Sequence, residues 1–304
     1  MLVSSFNIKA WLTAVRLRTL PLALSSIGMG GFLAYSVDIF NLKILALCAL
    51  TTVLLQILSN LANDYGDSQH GADLAGREGP VRTVQSGVIS ASTMKKAIII
   101  FISLSFLSGV WLLLVAFGRN YLLIGIFLLM GGFAIWASVN YTSGSRPYGY
   151  TGFGDLSVLI FFGIVGVMGT FFLHTGLLQW QYLLPSLSCG LFATAVLNIN
   201  NIRDIHSDKL AGKLSVPVRI GRKKAVIYHW TLLSLGIMSA VIFTLINYQS
   251  LYQFFFLLTI PLIMVNGLAI SRKTQAMDLD PYLKQMVLST LLFVITFGLG
   301  LILS

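Results

Sequence analysis

Charged residues are scarce in this sequence. Asp, Glu, Lys and Arg make up 10% of its 304 residues, whereas 56% are hydrophobic and the mean hydropathy is +0.85. This composition excludes a soluble domain of ordinary type and predicts a polytopic membrane protein. Cysteine is scarce as well. Cys48 and Cys189 both lie in apolar runs, and we interpret them as free buried thiols that behave as small hydrophobes.

Apolar windows of about 20 residues, the length that crosses a bilayer as a helix, indicate nine transmembrane spans. We therefore predict an all-α fold in which residues 1–304 form one membrane-embedded domain. The first span follows Lys9, Arg16 and Arg18 as in a signal peptide, but eight more spans follow it and we expect it to be retained. The predicted spans are about 20–37, 43–63, 94–117, 121–142, 154–175, 181–201, 226–247, 251–270 and 285–303.

The basic residues are distributed unevenly between the two sides of the predicted bundle. The sequence has 20 Lys and Arg residues and a formal net charge of +10, which on its own would suggest a nucleic-acid partner. Counted along nine spans, however, all of them except Lys43 and Arg119 fall on the side of the N-terminus. By the positive-inside rule that side is cytoplasmic and the C-terminus lies on the opposite side. The predicted partner is thus the lipid bilayer, with no nucleic acid.

Acidic residues are the scarcest charged class, with ten Asp and Glu in the whole chain. Several of them gather where the second span ends. Asn60, Asn63, Asp64 and Asp67 stand at positions i, i+3, i+4 and i+7, so they would share one face if the helix continues. Carboxylate and carboxamide oxygens are ligands that Mg2+ accepts, often together with substrate phosphates. We call these four residues the first acidic motif.

The sixth span ends with the same pattern. Asn200, Asp204 and Asp208, which we call the second acidic motif, stand at i, i+4 and i+8, again on one helical face. The spacing from Asn60 to Asp64 thus recurs about 140 residues later. Two spans that end on the same side with the same pattern predict a two-sided clamp, and they hint at an internal duplication.

Further polar residues on this side leave two interpretations open. The segment up to about Ser92 is rich in Gly and Arg, which suits phosphate binding, although a solvated loop has a similar composition. The tyrosines around Arg146 form either an interfacial belt or a site for a flat aromatic molecule whose carboxylate or phosphate meets Arg146. Arg16 is either an interfacial anchor or a cavity residue that meets an anion, whereas the anchor role fits Arg18.

The two acidic motifs together indicate one kind of chemistry. Half of the ten acids lie in or beside them, and carboxylates that face one another repel unless cations lie between them. They therefore predict Mg2+ bridging to a diphosphate, at a site where a polyprenyl diphosphate ionises and an apolar cavity protects the allylic cation from water. A cation-coupled transporter is the alternative, but its acids should lie near span midpoints, whereas these lie at span ends.

These residues resemble the motifs of a known family. Asn63-Asp64-x-x-Asp67 and Asp204-x-x-x-Asp208 resemble the two aspartate-rich motifs of the UbiA superfamily, intramembrane aromatic prenyltransferases with nine helices. In the broader superfamily a third aspartate often follows four residues after the second one of the first motif. Gly71 stands at that position here, which favours the naphthoate branch of the superfamily.

Three segments are most similar to the 1,4-dihydroxy-2-naphthoate polyprenyltransferases of menaquinone synthesis: residues 58–67, 146–155 and 195–204. The resemblance implies transfer of a polyprenyl group from polyprenyl diphosphate to 1,4-dihydroxy-2-naphthoate, with loss of CO2 and diphosphate, giving demethylmenaquinone. It also implies a bacterial cytoplasmic (inner) membrane protein whose site faces the cytoplasm. The alternative within this class is another aromatic acceptor, such as 4-hydroxybenzoate.

The resemblance further implies roles for individual residues. The expected Mg2+ ligands are Asp64, Asp67, Asp204, Asp208, Asn60 and Asn200, with Asp73 as a further candidate. The expected diphosphate ligands are Arg77, Arg82, Lys213 and Asn63. The acceptor would be held by Arg16 or Arg146 and flanked by Tyr141, Tyr148 and Tyr150, with Asp155 as a base or orienting group. The last three spans, which carry few polar groups, would close the bundle as an apolar wall.

Overall fold

The computed structural model describes residues 7–69, 82–144 and 146–304. Within these residues the chain is built of helices and contains no strand. Nine helical stretches of the described chain are long and apolar enough to cross a membrane, which confirms the predicted all-α membrane fold. They are Ile8–Tyr35, Leu42–Gln69, Ala91–Phe117, Tyr121–Asn140, Gly154–Thr175, Trp180–Arg203, Val216–Ile246, Leu251–Arg272 and Ala276–Ile302.

The individual helices are numbered in chain order. They are α1 (Ile8–Val15), α2 (Leu20–Tyr35), α3 (Leu42–Gln69), α4 (Ala91–Phe117), α5 (Tyr121–Asn140), α6 (Gly154–Val158), α7 (Gly169–Thr175), α8 (Leu183–Arg203), α9 (Ile205–Leu210), α10 (Val216–Ile246), α11 (Ile260–Arg272) and α12 (Asp280–Ile302). A π-helical segment, Leu159–Met168, joins α6 to α7, and short 3-10 turns occupy Leu17–Thr19, Tyr148–Thr151, Trp180–Tyr182, Leu251–Thr259 and Ala276–Leu279.

Some helices extend beyond the predicted apolar windows. α3 continues past residue 63 to Gln69, and α12 begins at Asp280 rather than at residue 285. Because an α-helix satisfies its own backbone hydrogen bonds, polar residues at its end do not stop it. The extension keeps Asp64 and Asp67 on helix α3, and it adds Asp280 to the start of the last span.

Several spans depart from a regular α-helix, and the first and the fifth do so beside the site described below. The first span breaks at Arg16, whose backbone is left-handed with φ 52° and ψ 60°, and the Thr19 amide and hydroxyl both donate to the Arg16 carbonyl oxygen at 2.9 Å. The fifth span contains the π-helical segment, a feature that is often found at functional sites. Neither irregularity was predicted from hydropathy, which reports span length and not backbone geometry.

The sixth span lies at the centre of the bundle. Of its most apolar window, 72% is buried, compared with 6% for the fourth span. α8 approaches the π-helical segment closely, because a Cβ atom on Gly163 would lie 2.7 Å from the Ser186 carbonyl oxygen and 3.1 Å from the Gly190 Cα atom. The main core cluster combines α8 with the last spans, through residues such as Phe192 and Phe293.

Four helices meet at one end of the bundle, which we call the site end. Asn60 near the end of α3 donates to the Val15 carbonyl oxygen at 2.9 Å, and Arg18, just before α2, pairs with Asp280 at the start of α12. α8 also ends here, at Arg203. The prediction that this end faces the cytoplasm rests on the distribution of basic residues and stays a prediction.

Candidate active site

A cavity of about 430 Å3 opens among the polar residues of the site end and extends into the bundle. Asp67, Asn200 and Lys213 line its mouth. Along α3 the lining residues extend from Asp67 to Cys48, a length of about 28 Å at 1.5 Å per helical residue. The cavity therefore has a charged mouth and a long interior within the membrane-spanning part of the bundle.

The interior wall is mostly apolar and comes from α2, α3, α4, α5, the π-helical segment, α7 and α8. Representative lining residues are Leu113, Phe127, Phe161, Phe162 and Leu173. Of the described residues in the last three spans, Leu283 alone lines the cavity. The prediction that those spans form the apolar wall is therefore wrong, because their apolar side chains pack into the main core cluster.

Three of the four residues of the first acidic motif line the cavity: Asn60, Asn63 and Asp67. Asp67 is 6% exposed. Arg82 Nη2 donates to its Oδ2 at 2.8 Å, and the Tyr150 hydroxyl donates to its Oδ1 at 3.0 Å. Asp67 thus lies at the mouth, paired with an arginine that also lines the cavity.

Asp64, the fourth member, is turned away from the cavity. It is 1% exposed and does not belong to the lining. Its Oδ2 accepts from the Thr83 hydroxyl at 2.6 Å and from the Thr83 amide at 3.2 Å, and its Oδ1 accepts from the Val84 amide at 3.3 Å. In this geometry Asp64 fixes the segment that precedes α4 against the end of α3.

The other residues of the first motif also hold neighbouring segments in place. Asn60 Nδ2 donates to Val15 O at 2.9 Å and to Thr19 Oγ1 at 3.0 Å, on both sides of the break in the first span. Thr142, which follows α5, donates to Asn63 Oδ1 at 3.1 Å. Thr142 lies so close to α3 that a Cβ atom on Gly66 would be 2.5 Å from its carbonyl oxygen, so glycine is required there.

The second acidic motif does not lie on one continuous helix. α8 ends at Arg203, Asp204 has φ −93° and ψ 14°, and α9 begins at Ile205. Arg203 was not among the predicted site residues, yet it donates to both oxygens of Asp204 at 2.8 Å and to Asn200 Oδ1 at 2.8 Å. Asn200 lines the cavity, whereas Asp204 lies behind its wall.

Lys213, which lines the mouth, forms the other charged pair with Asp208, which lies outside the cavity lining. Lys213 Nζ is 3.1 Å from Asp208 Oδ1. A turn at the end of α9 brings the lysine back to the aspartate. Gly212 has φ +71°, and the Lys213 amide donates to the Asp208 carbonyl oxygen at 2.8 Å. Glycine adopts this left-handed backbone without the steric cost that other residues meet, so Gly212 positions Lys213.

The charges of the two motifs lie close enough to influence one another. Burial raises the pKa of Asp208 above its ordinary value, and so do the carboxylates of Asp204 and Asp67, although Lys213 opposes them. Burial lowers the pKa of Lys213, but Asp208, Asp67 and Asp204 outweigh burial and raise it. Lys213 is therefore a firmly protonated cation among carboxylates from both motifs, which supports the predicted two-sided clamp.

The predicted aromatic residues divide into two groups. Tyr141 and Tyr148 line the cavity, and their rings meet edge to face at a centroid distance of 5.3 Å. Burial and nearby carboxylates raise the pKa of Tyr141, and burial raises that of Tyr148, so both phenols stay neutral. Tyr150 lies outside the cavity lining and contributes through its hydrogen bond to Asp67.

The structure distinguishes between the two arginines proposed for the acceptor. Arg16 is half-buried and lines the cavity, whereas Arg146 is exposed and does not. Asp155, predicted as a base or orienting group, is also outside the lining. Its Oδ2 accepts from the Tyr228 hydroxyl at 2.9 Å, so in this geometry it joins α6 to α10.

The donor atoms at the mouth fit a hard cation. Among the described residues, no group of three or more His, Cys, Asp or Glu side chains is arranged as a metal site. Nevertheless, Asp208 Oδ2 is buried and accepts no hydrogen bond from the described part of the chain, and Asp67 and Asn200 line the cavity. Such oxygen ligands suit Mg2+. Asp73 and Arg77, the remaining predicted ligands, lie outside the described residues.

Three residues at or behind the cavity were missed in the sequence. Asn201 lines the cavity at 2% exposure, beside the predicted Asn200. Arg203 was counted with the cytoplasmic basic residues, although an arginine at the end of a buried helix, three residues after Asn200, is a signal that it has a buried partner. Nothing in the spacing pointed to Thr83, because its contact with Asp64 depends on the path of a loop.

Comparison with known proteins places this geometry in a family context. Residues 23–291 match the UbiA prenyltransferase family. The chain is 43% identical to the 1,4-dihydroxy-2-naphthoate octaprenyltransferase of Haemophilus influenzae over 98% of this chain and 97% of that protein. It is 44% identical to the enzyme of the same name from Escherichia coli, over 97% and 96% of the two chains.

The fold has a counterpart among solved structures. A UbiA homologue from Archaeoglobus fulgidus, solved with DMAPP and Mg2+, superposes with a TM-score of 0.62 over 96% of this chain and 98% of that chain, at 17% sequence identity. At this identity the likeness concerns the fold.

Proposed function

This chain belongs to the UbiA prenyltransferase family, and from that premise we propose that it transfers a polyprenyl group from polyprenyl diphosphate to 1,4-dihydroxy-2-naphthoate in menaquinone biosynthesis. The observation that supports this reaction most strongly is one cavity that joins a mouth of carboxylates and cations to a long apolar interior. The mouth suits a diphosphate and its counter-cation, and the interior suits a prenyl chain.

The diphosphate end of the donor binds at the mouth. Arg82 and Lys213 line the cavity and are paired with Asp67 and Asp208, so they supply positive charge where the leaving group departs. Asp67, Asp208 and Asn200 are the residues that would hold Mg2+. When bound, Mg2+ neutralises the negative charge that develops on the departing diphosphate.

The prenyl chain extends along the apolar interior, and its first carbon lies at the mouth. The bond between that carbon and the diphosphate oxygen breaks, and its electron pair leaves with the diphosphate. The rings of Tyr141 and Tyr148 line this part of the cavity, where aromatic faces stabilise the allylic cation and apolar walls exclude water.

The acceptor attacks through the ring carbon that carries its carboxylate. A new carbon–carbon bond forms there, and the carboxylate leaves as CO2, so that its bonding electrons restore the aromatic ring. The product is the reduced, quinol form of demethylmenaquinone. Arg16 is the residue that we assign to the acceptor carboxylate, because it lines the cavity near Asn60 and Thr19 whereas Arg146 does not. The basic residues of the site end favour an inner membrane orientation in which the site faces the cytoplasm.

The reaction is tested with purified protein, Mg2+, a radiolabelled polyprenyl diphosphate and one acceptor at a time. We expect prenylated product and an equal amount of CO2 from carboxyl-labelled 1,4-dihydroxy-2-naphthoate. Product with 4-hydroxybenzoate and none with the naphthoate would contradict the assigned acceptor.

The role of Arg16 is tested with Arg16→Gln and a matched variant, Arg146→Gln. We expect Arg16→Gln to raise the KM for the naphthoate by about 10- to 100-fold, the loss typical of a charged hydrogen bond of 1.5–3 kcal/mol, and to leave the KM for the polyprenyl diphosphate unchanged. Arg146→Gln should change neither constant. The opposite pattern would show that Arg146 binds the acceptor.

A further inference from the structure

Four charged side chains form a continuous chain of hydrogen bonds behind the cavity mouth. Arg203 Nη1 donates to Asp280 Oδ1 at 2.6 Å, and Arg18 Nη1 donates to Asp280 Oδ2 at 2.9 Å. On its other side Arg203 holds both oxygens of Asp204. These hydrogen bonds therefore connect the turn before α2, the end of α8 and the start of the last span, three segments that are distant in sequence.

Arg203 is the buried centre of this chain. Its side chain is 2% exposed, compared with 37% for Asp280 and 32% for Arg18. All three guanidinium nitrogens donate to protein oxygens: Nε to Asp204, Nη1 to Asp280 and Nη2 to Asp204 and Asn200. These bonds use four of the five N–H groups of Arg203, and Arg203 is not part of the cavity lining. In this respect it differs from Arg82 and Lys213, which do line the cavity.

Arg203 binds two predicted ligands of the second acidic motif, Asp204 and Asn200. Asn200 faces the cavity, and Asp204 lies at the break between α8 and α9, where the backbone alone does not fix its direction. The two-pronged bond to Arg203 therefore fixes the orientation of the Asp204 carboxylate. Hydrogen bonds of this kind orient metal-binding carboxylates, and their loss commonly costs 10- to 100-fold in metal affinity.

We propose that Arg203 and Asp280 are positioning residues of the metal–diphosphate site, an inference that rests on the function proposed above. Arg203 holds Asp204 and Asn200 from behind, and Asp280 holds Arg203. The side chains of Arg18, Arg203, Asp204 and Asp280 sum to zero charge, so the group is balanced in the absence of metal. Removal of the Asp280 carboxylate takes away the acceptor of Arg203 Nη1 and leaves an uncompensated positive charge beside the site. Both effects weaken Mg2+ binding.

The test uses the full chain in lipid nanodiscs with Mg2+ and inorganic diphosphate as the probe. Thermal unfolding is followed while Mg2+ is titrated, and the Mg2+ concentration that gives half of the maximal stabilisation is recorded. This readout does not require turnover. The variants are Asp280→Asn, which keeps the shape of the side chain, and Arg203→Lys, which keeps the charge but cannot make the two-pronged bond.

The chain offers a matched control two residues before Asp280. Asp278 is also paired with a basic residue, Lys273 at 3.7 Å, but the side chains of both residues are 45% exposed and neither lines the cavity. Asp278→Asn therefore removes the same chemical group from the same segment without touching Arg203. Asp280→Glu is the conservative variant that should restore the carboxylate.

We expect Asp280→Asn and Arg203→Lys each to raise the half-saturating Mg2+ concentration about 10- to 100-fold, Asp280→Glu to restore most of the affinity, and Asp278→Asn to behave as the parent protein. If either folded variant shows an unchanged concentration, the role of Arg203 and Asp280 is purely structural and the inference fails. A lower concentration would overturn it as well, because Arg203 would then be competing with the metal. If the parent protein itself gains no stability from Mg2+ and diphosphate, the metal site of the proposed function fails first.

Discussion

The ends of α3 and of α8 carry the same spacing of Asn and Asp, but they hold their charges differently. In each motif one aspartate pairs with a basic residue that lines the cavity: Asp67 with Arg82, and Asp208 with Lys213. Asp67 lines the cavity itself, whereas Asp208 reaches it through Lys213. Each motif also has an aspartate that lies behind the lining. Asp64 is held by neutral donors of Thr83 and Val84, whereas a buried arginine holds Asp204.

The comparison shows that the two aspartates of each motif have different roles: one pairs with a basic residue of the cavity lining, and the other is held behind the lining. Because neutral donors satisfy Asp64, the first motif needs no cation behind it and can fix a loop. The helix of the second motif ends at Asp204. Arg203, which is paired with Asp280 of the last span, holds Asp204 in place. The first motif is therefore supported by its adjoining loop, and the second by distant parts of the chain.

The largest expected effect is a difference in activity between the variants of Asp67 and Asp208 and the variant of Asp64. Asp67→Asn and Asp208→Asn should each lower kcat/KM at least about 100-fold, because each removes a carboxylate that would hold Mg2+ at the diphosphate, with little change in thermal stability. Asp64→Asn should lower the melting temperature, since its amide group faces the donors of Thr83 and Val84, and should lower activity less than either of the other two.

Steady-state kinetics and thermal unfolding on the same preparations distinguish these outcomes. A loss of at least 100-fold for Asp64→Asn at an unchanged melting temperature would show that Asp64 turns toward the cavity and binds metal, and the distinction within the first motif would fail.

A second prediction tests the support of the first motif. Gly66→Ala places a Cβ atom 2.5 Å from the Thr142 carbonyl oxygen, so it should destabilise the protein by about 1–3 kcal/mol and reduce activity through Asn63. Gly125→Ala is the control, because no atom lies within 4 Å of a Cβ atom there. Thermal unfolding of the two variants measures the difference. Equal stability would mean that α3 and the segment after α5 can separate without cost.

A third prediction tests the turn that supports the second motif. Gly212 and Gly176 have φ of +71° and +68°, and neither would bring a new Cβ atom within 4 Å of a neighbour. Alanine at either position should cost about 1 kcal/mol of backbone strain. Gly212→Ala alone should also raise the KM for the polyprenyl diphosphate several-fold, because it displaces Lys213. An equal rise for Gly176→Ala would refute a local role for Gly212.

The smallest expected effect concerns pH. Burial raises the pKa of Asp208 in the folded protein, so the folded chain binds this proton more tightly than the unfolded chain, and protonation adds stability as the pH falls through the folded pKa. In EDTA, the melting temperature of the parent protein relative to Asp208→Asn should therefore rise as the pH is lowered from neutral toward the ordinary Asp pKa of about 3.9. A relative fall would mean that Lys213 outweighs burial.

Much of the fold followed from the sequence because span number depends on the lengths of apolar runs. The convergence of the two motifs followed from their position at span ends on one side. Other contacts depend on tertiary structure. Asp280 meets Arg203 across 77 positions of sequence, and no local pattern reports such a pair. The break at Arg16 depends on Asn60, which binds the backbone on one side of it and the Thr19 hydroxyl on the other.

In the proposed two-sided site, Asp67 and Asp208 come from opposite motifs and act on one diphosphate. A double-mutant cycle on kcat/KM with Asp67→Asn, Asp208→Asn and the double variant tests this most directly. When two residues act as a unit, the first substitution removes most of the activity and the second adds little to the loss. The kcat/KM of the double variant should therefore be at least about one-tenth of that of the less active single variant. Losses that multiply would show that the two aspartates act independently and would contradict the two-sided site.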